Sequence, residues 1–190
     1  MKVLVACEFS GTVRDAFIRA GHDAVSCDLL PTESEGPHYL RDVLEVIGTR
    51  HFDLMIAHPP CTRLCNSGVR WLNERNLWKE MREASAFFER LLNAPIDRIA
   101  IENPIPHRYA LEIIGQKYDQ IIQPWQYGHG ETKATCLWLK NLPKLQPTNV
   151  VEGREQRIHK MAKSDKRSHE RSRTYQGIAD AMAAQWEKTP

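Results

Sequence analysis

Two short segments of this 190-residue chain contain residue types suited to chemistry on an electron-poor ring. Cys61 follows Pro59 and Pro60 directly, and Glu102 opens the triplet Glu-Asn-Pro. A deprotonated thiol is the best side-chain nucleophile for adding to a ring carbon that lacks electron density. A protonated carboxyl group can donate to a ring nitrogen and withdraw electron density from the carbon under attack. Together the two residues favour covalent addition to a pyrimidine.

Each of these residues also has an ordinary structural interpretation. A cysteine is most often buried and unreactive, and a glutamate at a strand end is most often a solvated cap or an ion-pair partner. His58, Arg63 or a nearby helix start could lower the pKa of the Cys61 thiol, and the sequence leaves these sources open. His58, Cys61 and Cys65 are close in sequence, but no second pair follows at ligand spacing, so we expect no metal site.

The elements that position these residues follow from hydrophobic patterning. Apolar runs typical of buried strands occur at residues 1–7, 24–27, 53–57, 98–101, 120–123 and 135–139. Apolar residues at helical spacing predict helices after Gly11, over residues 74–92, near 109–115 and over 175–187. This alternation predicts an α/β fold, with a mostly parallel sheet, helices on both faces and right-handed crossovers. Ligands bind such sheets at the carboxyl ends of the strands, where Cys61 and Glu102 are expected.

The turn after the first predicted strand, Glu8-Phe9-Ser10-Gly11, has features of a cofactor-binding turn. Gly11 lets the backbone approach a ligand closely, and the helix beyond it begins with free amide donors. Asp28 ends the second predicted strand, where an acidic residue commonly accepts hydrogen bonds from ribose hydroxyls. An ordinary strand-turn-helix unit explains the same residues, because Glu8-x-x-Gly11 is not a complete dinucleotide fingerprint.

The order of these motifs resembles that of the DNA cytosine-5 methyltransferase family. In chain order, the resemblance rests on residues 8–11, Asp28, the triplet 41–43, the Pro-Cys loop 52–61, the triplet 102–104 and residues 127–135 and 175–182. It implies a Rossmann-like fold that uses S-adenosyl-L-methionine, with cofactor contacts from Glu8, Phe9, Ser10, Gly11, Asp28, Asp42 and Pro59. It also implies catalytic roles for Cys61 and Glu102 and, in place of the family's Arg-x-Arg pair, for Lys133 and Thr135.

The resemblance implies that Cys61 adds to carbon 6 of cytosine, after which carbon 5 accepts the methyl group. A base in a duplex would have to be flipped out of the stack. DNA amino-methyltransferases have an aromatic residue where this chain has Cys61, so carbon methylation is favoured over amine methylation. The segment after the nucleophile, Thr62-Arg-Leu-Cys65, differs from the family's usual Gln-Pro-Phe-Ser, and the large target-recognition domain is missing.

Residues 140–174 stand in the place of that recognition domain. Within them, the stretch 152–174 contains eight Lys or Arg and four Asp or Glu, in a chain whose net charge is only +2. This stretch could be a basic arm that contacts phosphates without reading sequence, or a solvated loop. We therefore predict one methyltransferase domain over residues 1–190, with 140–174 a short basic polar segment and 175–187 a terminal helix.

Three functions remain open at this point. The first is methylation of cytosine in DNA, the second is methylation of a pyrimidine in a free nucleotide or RNA, and the third is a catalytically weak nucleic-acid-binding module. A second subunit could supply missing contacts, so a homodimer is one expectation, and no membrane partner is expected. The five cysteines lack disulfide-framework spacing, and no apolar run approaches 18 residues, which favours a cytoplasmic location. The resemblance also suggests a phage or prophage setting.

Overall fold

A seven-stranded sheet forms the centre of the protein, whose computed structural model describes residues 1–162 and 164–187. Its strands are β1 (Lys2–Ala6), β2 (Asp23–Asp28), β3 (His38–Leu40), β4 (Leu54–Ala57), β5 (Arg98–Pro104), β6 (Gln120–Ile122) and β7 (Thr135–Lys140). They lie in the order β3-β2-β1-β4-β5-β7-β6, and β7 is antiparallel to both of its neighbours. The strand order reverses between β1 and β4, which is the point where ligands bind sheets of this type.

Helices cover both faces of the sheet. They are α1 (Thr12–Arg19), α2 (Val43–Thr49), α3 (Trp71–Glu74), α4 (Trp78–Leu92), α5 (Arg108–Ile114), α6 (Arg157–Lys160), α7 (Asp165–Ser172) and α8 (Gln176–Trp186). One hydrophobic core lies between the sheet and α2, α4 and α5, and a second lies between the sheet and α1 and α8. The predicted α/β class, with a mostly parallel sheet and helices on both faces, is confirmed.

The strand that carries Glu102 is longer than the sequence predicts. The apolar run ends at residue 101, but β5 continues to Pro104 because β7 pairs with it over its last residues, Glu102 opposite Leu137 and Pro104 opposite Thr135. The prediction that the strand is interrupted at Glu102 is therefore wrong. Because Glu102 belongs to the sheet, its side chain has a fixed direction.

The helix predicted over residues 74–92 begins four residues later than predicted, at Trp78, and ends at Leu92 as predicted. The short α3 ends at Glu74, Asn76 takes a left-handed conformation with φ 50°, and α4 begins at Trp78. Two further elements, β3 and α2, were not predicted from the sequence, and both are short. The second begins at a side-chain cap, since the carboxylate of Asp42 accepts a hydrogen bond from the amide of Leu44 at 2.9 Å.

The segment 140–174 folds onto the rest of the chain. After β7 it runs without helix or strand to residue 156 and then forms α6 and α7, with Lys163 outside the described residues. The predicted terminal helix is present as α8, and its Trp186 is fully buried, with the indole donating to the carbonyl of Pro143. Residues 188–190 of the predicted domain also lie outside the described part. None of the described helices has the length and apolar character needed to cross a bilayer.

Candidate active site

The loop that carries Cys61 is fastened to the chain that follows β5. His107 is 2% exposed, and its Nδ1 accepts a hydrogen bond from the amide of Ala110 at 3.0 Å. Its Nε2 therefore carries the ring hydrogen and donates to the carbonyl of Arg63 at 2.8 Å. Because Arg63 is two residues after Cys61 and His107 is five after Glu102, these bonds bring the two predicted catalytic segments side by side.

The thiols of Cys61 and Cys65 are hydrogen-bonded to each other. The pKa of Cys65 is lowered chiefly because the Cys61 thiol donates to its thiolate. The Ser67 hydroxyl, whose Oγ lies 3.0 Å from Cys65 Sγ, and the positive charge of Arg171 lower it further. The pKa of Cys61 is raised by this hydrogen bond and by burial, although Arg171 and Lys133 both favour its thiolate. The two sulfurs therefore share one proton, and they titrate as a pair.

Glu102 and His58 form an ion pair beside these thiols. Glu102 Oε2 lies 3.1 Å from His58 Nδ1, and each side chain is 11% exposed. Burial disfavours the charged imidazole, but the hydrogen bond and charge of Glu102, with the charge of Glu8, raise the pKa of His58. Burial also disfavours the charged carboxyl, but His58, Lys133 and the Thr174 hydroxyl lower the pKa of Glu102 to about 2. Glu102 is therefore ionised at neutral pH, and its charge favours the protonated form of His58.

Lys133 connects the thiol and carboxylate parts of the site. Its charge favours the ionised form of both Cys61 and Glu102, so it lies within electrostatic range of each. Its Nζ donates to the carbonyl of Arg173 at 3.0 Å. Thr135, the other residue expected here, is 3% exposed at the start of β7, and its hydroxyl donates to the carbonyl of Lys133 at 3.1 Å. Thr135 thus braces the backbone of Lys133.

Glu8 bonds the start of α1 and faces His58. Its carboxylate accepts hydrogen bonds from the amides of Val13 at 2.7 Å and Arg14 at 3.2 Å, and these are two of the free donors of the first helical turn. Burial raises the pKa of Glu8, although His58 and these two amides favour the carboxylate. Glu8 therefore joins the predicted cofactor turn to the ion pair of the site.

Asp28 and Asp42 lie together beside the end of β1. Burial raises the pKa of Cys7 to about 12, and the charges of Asp28, Cys27 and Asp42 raise it in the same direction, so both carboxylates are close to the Cys7 sulfur. Cys7 itself takes a left-handed conformation with φ 57°, which is uncommon for a residue with a side chain. The structure therefore brings Asp28 and Asp42 to the same edge of the sheet.

Gly11 occupies a position that only glycine fits. Its φ is 73°, and a Cβ there would lie 2.1 Å from Ser34 Oγ and 2.5 Å from the Arg14 guanidinium. The groups that approach Gly11 closely are thus side chains of the protein itself, those of Ser34 and Arg14. Arg14 is fully buried and donates hydrogen bonds to the carbonyls of Ser34, Glu35 and Pro37, which fixes this loop over the turn.

A covering segment, residues 169–174, closes over the site. Glu33 pairs with both His169 and Arg173, and the ring of Phe9 lies 5.2 Å from that of His169. At the other end, the Thr174 hydroxyl donates to Glu102 Oε2 at 3.2 Å. The segment therefore contacts the predicted cofactor turn at one end and the predicted catalytic carboxylate at the other.

Sequence patterns did not identify several of these participants, which are Cys65, Glu33, His169, Arg173 and Thr174. Their contacts join residues far apart in the chain, and only the local excess of Lys and Arg marked part of the covering segment.

Among the described residues, His58 Nε2 and both polar side-chain atoms of Asn103 are buried without a hydrogen-bond partner. Such atoms suit contact with a polar ligand, because an unpaired buried polar group is costly. In the same part of the chain, no three His, Cys, Asp or Glu side chains are arranged to hold a metal ion.

No protein-family model matches this sequence, and no curated protein matches it. Among solved structures the chain is similar to the Entamoeba histolytica methyltransferase EhMeth, with a TM-score of 0.52 and 14% identity over 80% of this chain and 57% of that one. It also matches an E. coli prophage-encoded protein assigned as a DNA modification methyltransferase (TM-score 0.49, 16% identity, 80% and 52% of the two chains). A third match is DNMT2 from Spodoptera frugiperda (TM-score 0.42, 16% identity, 80% and 54%).

The chain spans about half the length of these solved structures, between 52% and 57% of each. The likeness to EhMeth concerns the fold, and the sheet of this protein has the parallel strands β3, β2, β1, β4 and β5 followed by the antiparallel β7. This protein therefore has the Rossmann-like fold of S-adenosylmethionine-dependent methyltransferases.

Proposed function

We propose that this protein transfers a methyl group from S-adenosyl-L-methionine to carbon 5 of cytosine in DNA, through a covalent adduct with Cys61. The observation that carries the proposal is the position of Lys133, whose charge acts on both the Cys61 thiol and the Glu102 carboxylate. A nucleophilic sulfur and a carboxylate beside one cation suit an aromatic ring that must be attacked at one atom and held at another.

Cys61 is the nucleophile in this mechanism. The proton that the two thiols share lies on Cys65 when Cys61 reacts, and the ionised Cys61 sulfur, which Lys133 and Arg171 favour, adds to carbon 6. Glu102 holds the nitrogen edge of the ring, and Lys133 stabilises the negative charge that develops on the ring during addition. Carbon 5 becomes nucleophilic and takes the methyl group. It then loses its proton to solvent water, and expulsion of the Cys61 sulfur as a thiolate restores the aromatic ring.

The residues at the end of β1 and β2 fit a methyl donor that has a ribose and a positive charge. Asp28 and Asp42 present two carboxylates at one edge, which suits hydroxyl and amino groups, and Phe9 and Gly11 border the same turn. Pro59 is buried directly after β4, on the side of the sheet where the strand order reverses. When bound, S-adenosyl-L-methionine supplies the methyl group, and these residues hold it next to the base.

A free pyrimidine nucleotide is the second candidate substrate. Two basic residues of the segment 140–174 are already paired within the chain, since Arg157 pairs with Glu131 and Glu170, and Arg173 pairs with Glu33. Cations used in this way are less available for phosphates of a nucleic acid. This observation favours a small substrate over a polymer.

Transfer of a labelled methyl group from S-adenosyl-L-methionine to DNA, RNA and dCMP tests the proposal. Wild-type protein and C136A, which alters a buried core thiol on β7, should label carbon 5 of cytosine in DNA, whereas C61S should not. Labelling of dCMP alone would favour the nucleotide candidate. If none of the three substrates is labelled, or C61S retains the activity, the proposed function is wrong.

A further inference from the structure

The charge of Glu102 poses a problem for the proposed reaction. Nitrogen 3 of cytosine is a hydrogen-bond acceptor, and the ring activates best when this atom is protonated. Glu102 would have to donate that proton, yet its carboxylate accepts hydrogen bonds from His58 at 3.1 Å and Thr174 at 3.2 Å. An ionised carboxylate and a ring nitrogen are both acceptors, so a proton must come from a neighbouring group.

His58 is the group placed to provide it. The imidazole lies on the loop after β4, and the charged side chains that face it come from three other elements: Glu102 on β5, Glu8 after β1 and Lys133 before β7. The two carboxylates favour the charged form of the ring, and the ammonium of Lys133 opposes it. The ring is 11% exposed, so the bulk solvent has little access to its proton.

We propose that His58 is a positioning residue that supplies, through Glu102, the proton taken up by nitrogen 3 of the pyrimidine; this inference rests on the proposed function. As the base binds, the Nδ1–H bond of His58 breaks and Glu102 receives that proton, while Glu102 delivers one proton to nitrogen 3. The positive charge moves from the imidazole to the ring, and the carboxylate stays hydrogen-bonded to it. When the Cys61 sulfur leaves, the proton returns to the Glu102–His58 pair, so no proton is gained or lost at this position.

The substitution H58N separates a proton source from a structural contact. An asparagine amide can donate to Glu102 from the position of Nδ1, but it does not titrate. Wild-type methyl transfer should fall at alkaline pH as His58 loses its proton, whereas H58N should be slower by about a hundredfold at neutral pH and should lack this alkaline decline. The matched control is H22N, in the turn at the amino end of β2, whereas His58 follows the carboxyl end of β4, and it should behave as wild type.

Nitrogen-15 NMR of the histidine rings supplies a measurement that does not require activity. His58 should be doubly protonated at pH 7 in the wild-type protein and neutral at the same pH in E102Q. A neutral His58 in the wild type, or an active H58N with the wild-type rate and pH profile, overturns the inference and leaves the proposed function standing. A wild type that methylates no pyrimidine overturns the proposed function and the role of His58 with it.

Discussion

Replacement of Glu102 by Gln should lower the free energy of unfolding by an amount that depends strongly on pH. The glutamine cannot ionise, so it removes the charge that pairs with His58 while it keeps the size of the side chain. The pKa of Glu102 lies at about 2 in the folded protein, against an ordinary value of 4.5. A carboxyl whose pKa is lowered by folding stabilises the protein above its ordinary value, and this contribution is lost as the pH falls through the folded value.

The magnitude follows from that difference in pKa. It corresponds to about 3 kcal/mol of stability at pH 7, falling to about half of this by pH 3. Both side chains of the pair are 11% exposed, so solvent screens the interaction little. The stability difference between wild type and E102Q should also decline at alkaline pH. The pKa of His58 is raised in the folded protein, so the stability that its charged form contributes is lost as the pH rises through that raised pKa. The two pKa values describe one interaction, so the contribution is counted once.

Urea unfolding followed by tryptophan fluorescence measures this difference, since Trp138 and Trp186 are fully buried. With a denaturant dependence of about 2 kcal/mol per molar, the midpoint of E102Q should lie about 1.5 M below that of wild type at pH 7. The control E83Q removes an exposed helix pair with Lys79 and should leave the midpoint unchanged. A midpoint difference of the same size at pH 7 and pH 3 would refute the charged pair.

Three further predictions concern other parts of the site. In C65S, alkylation of Cys61 by iodoacetamide at pH 7, mapped by mass spectrometry, should become faster by about tenfold, because loss of the Cys65 thiolate removes the interaction that raises the pKa of Cys61. In E33Q, trypsin should cleave faster after Arg173, because the covering segment loses its ion pairs to the loop after β2. In R14M, the free energy of unfolding should fall by about 3 kcal/mol in urea titrations, because the carbonyls of Ser34, Glu35 and Pro37 lose their buried donor.

Each of these predictions has a result that contradicts it. Unchanged alkylation of Cys61 in C65S would mean that the two thiols do not share a proton. Equal cleavage of wild type and E33Q would show that Glu33 does not hold the covering segment closed. Wild-type stability in R14M, with E83Q as the comparison, would show that the Arg14 hydrogen bonds do not stabilise the loop.

The buried elements of this fold were predictable, and the elements whose ends depend on a partner were not. Continuous apolar runs identified β1, β4 and the first part of β5, since strands covered on both faces need them. The end of β5 was missed because its pairing with β7, from Glu102 to Pro104, is a contact between distant residues. The three-residue β3 has little apolar sequence, so only its neighbour β2 defines it.

The candidate site followed a similar division. Cys61 and Glu102 were identifiable because each stands after a predicted strand, at an edge where parallel strands bring distant residues together. The partner of Glu102 was not, because the 3.1 Å contact of His58 depends on the direction of two side chains, one on β5 and one on the loop after β4. The covering segment was equally hidden, since a run of charged residues does not indicate which surface it will contact.

The central claim is that the Cys61 sulfur and the Glu102 carboxylate face one cytosine beside the methyl donor. DNA containing 5-fluorocytosine tests it directly, because fluorine at carbon 5 cannot leave as a proton does and the adduct stays bound to the nucleophile. With S-adenosyl-L-methionine present, wild-type protein should form a denaturation-resistant adduct that peptide mass spectrometry assigns to Cys61, and E102Q should form it far more slowly. An adduct at another cysteine, or methyl transfer to cytosine with no trapped species, would contradict the account.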